Sequence, residues 1–282
     1  MTFELFQRPA RFALEPLLLL RWAVYSVGYV ATQIILFMIL MQAYKMVRKT
    51  FIQRAERVAF DNALDLIAFQ GKLGLNVELD LQKFVLDHDW MIWFFNRYYT
   101  YFMTGFYICA ASAILFAPKH YPFLRRTFFA SMVLALPWYA IYPLAPPRFM
   151  DPYGHPFIDT LAVYGPNYFS NSGLVTANRY AAMPSMHCGW TFIGAVMLAY
   201  AYPKWRIGAI VGGTHATLMF LTVMVTGNHY VLDIVGGLLV AGAAFVVAYW
   251  FPVWRGWVLE RVGLGMTARP RTQTASAPTR AD

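Results

Sequence analysis

Long apolar runs alternate with short charged or Pro/Gly-rich gaps along this chain. A bilayer core of about 30 Å is crossed by roughly 20 apolar residues in a helix. On that measure the first run, 17–44, predicts a membrane-spanning helix, with Arg21 near its start able to snorkel to the headgroups. A second reads from 98 to 117, preceded by an aromatic belt at 90–101 and closed by Pro118 and Lys119. The third, 128–144, carries Pro137, which predicts a kink. Three more follow in close succession at 187–202, 207–225 and 230–251.

Between the first and second runs the pattern changes period. Lys45, Arg48, Lys49, Arg54 and Arg57 form a basic run leading into Ala55, Val58, Ala59, Ala63, Leu66 and Ile67, which recur at helical spacing opposite Glu56, Asp61 and Asp65. That is an amphipathic helix, ended by Gly71 and Gly74. Leu81, Phe84 and Val85 against Asp80, Lys83 and Asp87 predict a second, shorter one. Both are expected to lie along the membrane interface or to pack over the bundle. The stretch from Arg148 to Met183 is rich in Pro, Gly, Tyr and Asn and has no period, as expected for a lid or substrate-facing loop. The fold class is therefore all-α: a polytopic membrane bundle of about six transmembrane helices with amphipathic interfacial helices. Its expected organisation is an N-terminal span and amphipathic region at 1–90, a catalytic membrane domain at 91–255 and a disordered tail at 256–282.

Composition supports this class. Of 282 residues 59% are hydrophobic and 13% charged, too apolar a balance for a water-soluble domain. The net charge of +9 does not point to nucleic acid, because the basic residues cluster beside apolar spans, where they suit anionic headgroups. Cys109 and Cys188 both lie in apolar stretches and read as small core residues. No cleavable signal peptide is expected: the first run is long, follows Arg8 and Arg11, and ends in basic residues. Lys119, Arg125, Arg126, Lys204, Arg206, Arg255 and Arg261 mark a cytoplasmic side, which puts Arg148, Ser185, His187, His229 and Asp233 on the extracytoplasmic side of a cell membrane. The run from Lys45 to Arg57 falls on the outer side too, against that rule.

The candidate chemistry sits at the ends of the last spans. In TGNHYVLDIVGG, Thr226 to Gly237, His229 and Asp233 are four residues apart, so on a helix the carboxylate can hold one imidazole nitrogen and leave the other basic. Alone, such a pair serves helix packing as readily as chemistry. A second stretch, AMPSMHCGW at Ala182 to Trp190, adds Ser185 and His187 at the start of a neighbouring span. In phosphoryl transfer one imidazole can attack phosphorus, an aspartate can fix its tautomer, and a second imidazole can protonate the departing oxygen. Arg148 and Ser185 suit the phosphoryl oxygens. His215 lies mid-span, about 21 Å of helix from His229, and reads as a neutral packing residue. Tyr230 and Asn228 flank the histidine without an assigned role. No His, Cys or carboxylate spacing suggests a metal site.

PPR at Pro146 to Arg148, PSMH at Pro184 to His187 and HYVLD at His229 to Asp233 together resemble the type 2 phosphatidic acid phosphatase superfamily. They are most similar to its inositol phosphorylceramide synthase branch. The resemblance covers roughly 142–237. It implies a metal-independent, cofactor-free membrane enzyme passing through a phosphohistidine, with His229 as nucleophile, Asp233 orienting it, His187 as acid, and Arg148 and Ser185 as phosphate ligands. Two of the family's cations are missing. Ile141 stands where its lysine would be, and Thr222 and Val223 where it has Ser-Arg. Arg179, six residues before Ser185, is the candidate replacement, set against the ordinary surface preference of arginine.

The expected reaction is transfer of a phospho-headgroup from a lipid, with hydrolysis of a lipid or polyprenyl phosphate as the alternative. The expected partners are a lipid phosphate substrate and membrane lipids, without nucleic acid. Two other classes fit single features: a transporter or scramblase lined by the histidines, and a haem protein using them as axial ligands.

Overall fold

In a computed structural model of the protein, residues 16–52, 56–166, 179–202 and 206–262 are described. The expectations for the N-terminal lead, Arg54, Ala55, Lys204, 167–178 of the long loop and the tail from 263 fall outside them. The helices are α1 Pro16–Ile52, α2 Glu56–Lys72, α3 Glu78–Leu86, α4 Asp89–Thr100, α5 Phe102–Phe116, α6 Tyr121–Ile141, α7 Thr160–Tyr164, α8 Met186–Ala201, α9 Arg206–Val225 and α10 Val231–Arg261. Among the described residues the regular structure is otherwise two 3₁₀ turns at Pro147–Phe149 and Asp151–Tyr153 and one parallel bridge, Leu144 to Ala181. The chain divides into two compact units, Met1–Ala248 and Tyr249–Asp282. In the second, the end of α10 carries Arg261 over the Trp257 ring at 4.0 Å.

Each of the six apolar runs coincides with a helix or, at 98–117, with a bent pair. Val24–Arg48 of α1, all of α9 and all of α10 are long and apolar enough to cross a bilayer, and α4 with α5, bent by 51°, makes a fourth if the pair is one span. The protein is thus a multi-pass membrane protein. α8 is apolar but has 16 residues, short of a full crossing. α6 begins seven residues before the expected start and takes Arg125 and Arg126 into the helix, where Arg125 Nη1 donates to Gln33 Oε1 of α1 at 2.6 Å. Chain direction alternates at one face: α1, α6 and α9 end there, while the bent pair α4–α5, α8 and α10 begin there.

Burial has the pattern of a protein solvated by lipid. The interior packs Phe106, Leu124, Phe128, Met132, Trp190, Ile193 and Met219 into one cluster. The outside leaves large apolar side chains bare, among them Leu239 at 70%, Ile207 at 61% and Leu115 at 60% exposed. Both cysteines are free and buried. His215 packs at the α4–α5 bend, its Nδ1 paired with the Tyr98 hydroxyl and its ring against Gly105.

The amphipathic helices pack over the loops at the face where the chain alternates. Ala59, Ala63, Leu66 and Ile67 of α2 bury against Leu144, Ala145, Met150 and Tyr230, while Val58 is exposed. On α3 the expected apolar stripe is reversed in part. Phe84 faces out at 58% exposure, and the buried face carries Glu78 and Gln82 beside Val85. Those polar groups are buried because they bond the loops beneath them.

α8 and α10 cross where Gly189 and Gly237 face each other. A Cβ on Gly189 would lie 2.9 Å from the Gly237 carbonyl oxygen, and one on Gly237 would overlap the Ser185 carbonyl oxygen, so neither helix has room for a side chain. Gly237→Ala is therefore expected to destabilise the bundle by about 1–3 kcal/mol through overpacking. Gly242→Ala, on the same helix with nothing within 4 Å of the added carbon, is expected to be neutral. Thermal unfolding of the two variants in detergent checks this.

Candidate active site

α9 ends at Val225, a five-residue turn carries Gly227 at φ +66°, and α10 begins at Val231. His229 sits in this turn. Its Nδ1 lies 3.3 Å from Oδ2 of Asp233, which also accepts the Tyr230 amide at 2.9 Å. Asp233 is fully buried. The Ser185 amide donates to the Asp233 carbonyl at 2.9 Å, so the start of α8 is fastened to the start of α10. That fastening, with the glycine crossing below it, brings His187 Nδ1 to 3.2 Å from His229 Nε2. With Nδ1–H of His229 given to the carboxylate, Nε2 is the acceptor and His187 the donor between the rings. Tyr99 stacks on the His187 ring at 4.6 Å and Phe102 lies against it at 4.3 Å.

Arg148 closes the other side. Its backbone amide donates to Gly227 at 2.8 Å, its Nη1 donates to Asn228 Oδ1, and its Nε lies 3.4 Å from Asp159 Oδ2. A Cβ at Gly227 would come within 3.2 Å of Arg148 Cβ, which is why this turn needs glycine for space as well as for φ. Burial pulls the Arg148 pKa below its ordinary value, and Tyr99 and Asp159 oppose that pull. Burial first, then the Arg148 guanidinium, hold the His229 pKa down to about 3, with Arg48 adding to the effect. His229 is accordingly a neutral base at neutral pH.

The turn that carries His229 is clamped from outside by α2 and α3. The first amides of a helix have no partner within it. Here Val231 donates to Glu78 Oε1 at 2.7 Å and Leu232 to Gln70 Oε1 at 2.8 Å, while Gln70 Nε2 donates to Glu78 at 2.8 Å. Gln82 Nε2 donates to the Val225 carbonyl at the end of α9 and to Ile158, each at 3.0 Å, and its Oε1 accepts the Ile158 amide at 2.8 Å. Gln82 thus links the histidine turn to the loop that supplies Asp159.

A cavity of about 170 Å³ opens over the pair, lined by His187, His229, Arg148, Asn228, Arg179 and, from α1, Lys45 and Arg48. His187, His229 and Arg148 meet there as expected, and Asp233 lies behind His229. Arg179 is exposed at the cavity wall. Ser185 is placed differently: it is fully buried and is not among the lining residues, so its backbone joins the helices while its hydroxyl lies behind the wall. Asn228, Asp159, Gln70, Glu78, Gln82 and Arg48 carry contacts that the motifs do not announce. For Arg48 a signal existed in the basic run from Lys45 to Arg57, which the expected orientation does not account for.

A profile described as the PAP2 superfamily matches residues 64–247, more than half of the chain. The chain is also similar to the inositol phosphorylceramide synthase catalytic subunit aur1 of Schizosaccharomyces pombe, 34% identical over 119 residues. That stretch covers 40% of this chain and 26% of the fission yeast protein, so the chain matches about a quarter of its relative's length. No solved structure matches the chain significantly.

Two outcomes follow from this geometry. Glu78→Ala leaves the Val231 amide buried without its acceptor and is expected to cost about 1–3 kcal/mol, whereas Glu78→Gln, which keeps an oxygen there, is expected to cost less; denaturation in detergent separates them. The second concerns pH. His229 binds its proton at about 3 in the folded protein and near the ordinary 6.5 when unfolded, so the unfolded chain takes up the proton first. Stability from this residue is complete above pH 6.5 and declines as pH falls toward 3. His229→Asn is expected to flatten thermal stability against pH within that window.

Proposed function

Because the chain belongs to the PAP2 superfamily of lipid phosphatases and phosphotransferases, we propose that it moves a phospho-headgroup between membrane lipids through a phosphohistidine on His229. The observation that carries this reading is the line Asp233, His229, His187 at 3.3 and 3.2 Å, ending at a cavity walled by Arg148. The aur1 likeness supports an inositol-phosphate type of headgroup. Phosphatidylinositol is then the donor and a lipid alcohol the acceptor. Water in place of the alcohol gives simple hydrolysis.

In the first step His229 Nε2 forms a bond to phosphorus while the bond from phosphorus to the glycerol oxygen breaks. His187, entering as imidazolium beside the anionic substrate, gives its proton to that oxygen, and diacylglycerol leaves. In the second step His187 takes the proton of the acceptor hydroxyl, whose oxygen attacks phosphorus and frees His229. Asp233 keeps the His229 tautomer fixed throughout. Arg148 balances the charge on the phosphoryl oxygens, helped by Arg179. An in-line displacement puts phosphorus and the leaving oxygen between the rings, so the reacting nitrogens stand roughly 6–7 Å apart in the complex. The direct contact between the rings is then the resting arrangement, which substrate replaces.

Six crossings, with this face extracytoplasmic, fit the alternation of the helices and the placing of Lys119, Arg125, Arg126 and Arg206 at helix ends away from the cavity. In this reading the 91–255 domain holds the chemistry, and the 1–90 region braces and lines it.

The test uses radiolabelled phosphatidylinositol, phosphatidic acid and a polyprenyl phosphate in detergent with a chelator present. His229→Ala and His187→Ala are each expected to abolish turnover with the fold intact, and His215→Ala to leave it nearly unchanged. Labelled product lipid indicates transfer, and free labelled phosphate or inositol phosphate indicates hydrolysis. Turnover that survives His229→Ala overturns the proposal.

A further inference from the structure

The family's missing cations leave a charge problem that the first helix addresses. Ile141, at the lysine position, points outward at 80% exposure, and Thr222 and Val223, at the Ser-Arg position, are fully buried. None of the three is among the described residues that line the cavity. α1 reaches the same cavity from another direction, with Tyr44, Lys45 and Arg48 on its wall.

Arg48 is held in place there. Its Nη2 donates to the Ala181 carbonyl at 3.3 Å, in the segment that leads to Ser185 and His187. Its guanidinium lies 4.8 Å from the centroid of the Tyr139 ring, and Tyr139 in turn donates its hydroxyl to the Pro184 carbonyl at 3.0 Å. A guanidinium stacked on an aromatic face is held with its plane fixed, and its planar fork suits the oxygens of a phosphate. Lys45, Arg48, Arg148 and Arg179 line the cavity, and the described lining residues include no Asp or Glu. Walls of one sign in a low-dielectric setting concentrate the opposite charge.

The shape matches an amphiphile as well as an anion. Met41, Tyr44 and Arg48 follow one face of α1 at helical spacing, from apolar to cationic, and Met103 and Tyr107 of α5 line the same cavity. A lipid with its anionic head at Arg48 and Arg148 can lay the start of its chain against Met41 and Tyr107.

We propose that Arg48, with Lys45 beside it, is a phosphate-binding cation of the lipid-headgroup site, so that α1 supplies the charge absent from the family's usual positions. This deepens the function proposed above and rests on it. The shared ligand chemistry is a phosphate group, carried by a lipid headgroup or free in solution.

The test measures binding on the full chain in detergent, in the His229→Ala background, so that binding is read without turnover. Dissociation constants for phosphatidylinositol in mixed micelles and for inorganic phosphate are compared with and without Arg48→Gln. Arg48→Gln is expected to weaken phosphatidylinositol binding about tenfold or more, the loss of one charge-assisted contact. Arg48→Lys, which keeps the charge without the stacked fork, is expected to restore part of it. A parallel loss for inorganic phosphate places Arg48 on the phosphoryl oxygens themselves; a loss for the lipid alone places it on the headgroup of the bound lipid. Unchanged affinity for both ligands, or no binding of either by the parent, overturns the proposal. Should Arg48→Gln fail to fold by thermal unfolding, Lys45→Gln at an exposed position decides, and an unchanged lipid affinity there overturns it. Failure of the histidine reading is seen separately, as turnover by His229→Ala.

Discussion

Two helices that approach until only glycine fits between them set the positions of both histidines. Gly189 and Gly237 let α8 and α10 meet backbone to backbone, and the bond from the Ser185 amide to the Asp233 carbonyl then fixes their relative height. The 3.2 Å contact between His187 and His229 depends on that crossing. In a membrane the gain from hiding apolar surface between helices is small, because lipid is as apolar as leucine. Close backbone contact and hydrogen bonds have to hold the pair instead. A site whose reacting atoms must be placed to a fraction of an ångström is well served by such a contact, which tolerates little sliding.

The same constraint creates a debt at the helix ends. Starting α10 inside the protein buries amides that have no partner within the helix, and ending α9 beside it does the same to carbonyls. Gln70, Glu78 and Gln82 answer both, on two helices whose sequence reads as interfacial. This explains why α3 hides its polar residues and shows Phe84 instead. The region before residue 90 therefore acts on the histidine turn through hydrogen bonds as well as by packing, and the family profile, which begins at residue 64, takes in the second half of α2 and all of α3.

What was legible in the sequence divides along physical lines. Long apolar runs announce helices through local periodicity, and His229 with Asp233 announces itself because four residues on a helix already share a face. Helix class, the amphipathic pair and the meeting of His187, His229 and Arg148 could be read in that way. Contacts between residues far apart in the chain could not. Nothing local tells Gln70 that its partner is the Leu232 amide, or Arg48 that it will lie over Tyr139. Ser185 is a different case. Its place in the motif suggests a hydroxyl facing substrate, whereas the geometry uses its backbone and buries the side chain. α6 starts before its apolar run at 128 because Arg125 is accommodated within the helix by Gln33 of α1, a partner that nothing near it in the chain announces.

The basic run at the end of α1 brings topology and chemistry into competition. Cations bias a loop toward the cytoplasm only insofar as they are free to interact with the membrane and its potential. Arg48 is bonded to Ala181 and stacked on Tyr139, facing the cavity that holds the histidines. A residue placed for an anionic substrate serves that substrate on whichever side of the membrane the site lies, so it should not be counted as a topological signal. Removing Arg48 and Lys45 from the count weakens the main objection to an extracytoplasmic site. Lys49, Arg54 and Arg57 of the same run still count on that side, against Lys119, Arg125, Arg126 and Arg206 toward the helix ends away from the cavity. Under the proposal for Arg48, the charge absent at Ile141 and Val223 and the cations at the end of α1 belong to one arrangement, in which the first helix carries part of the positive charge of the site.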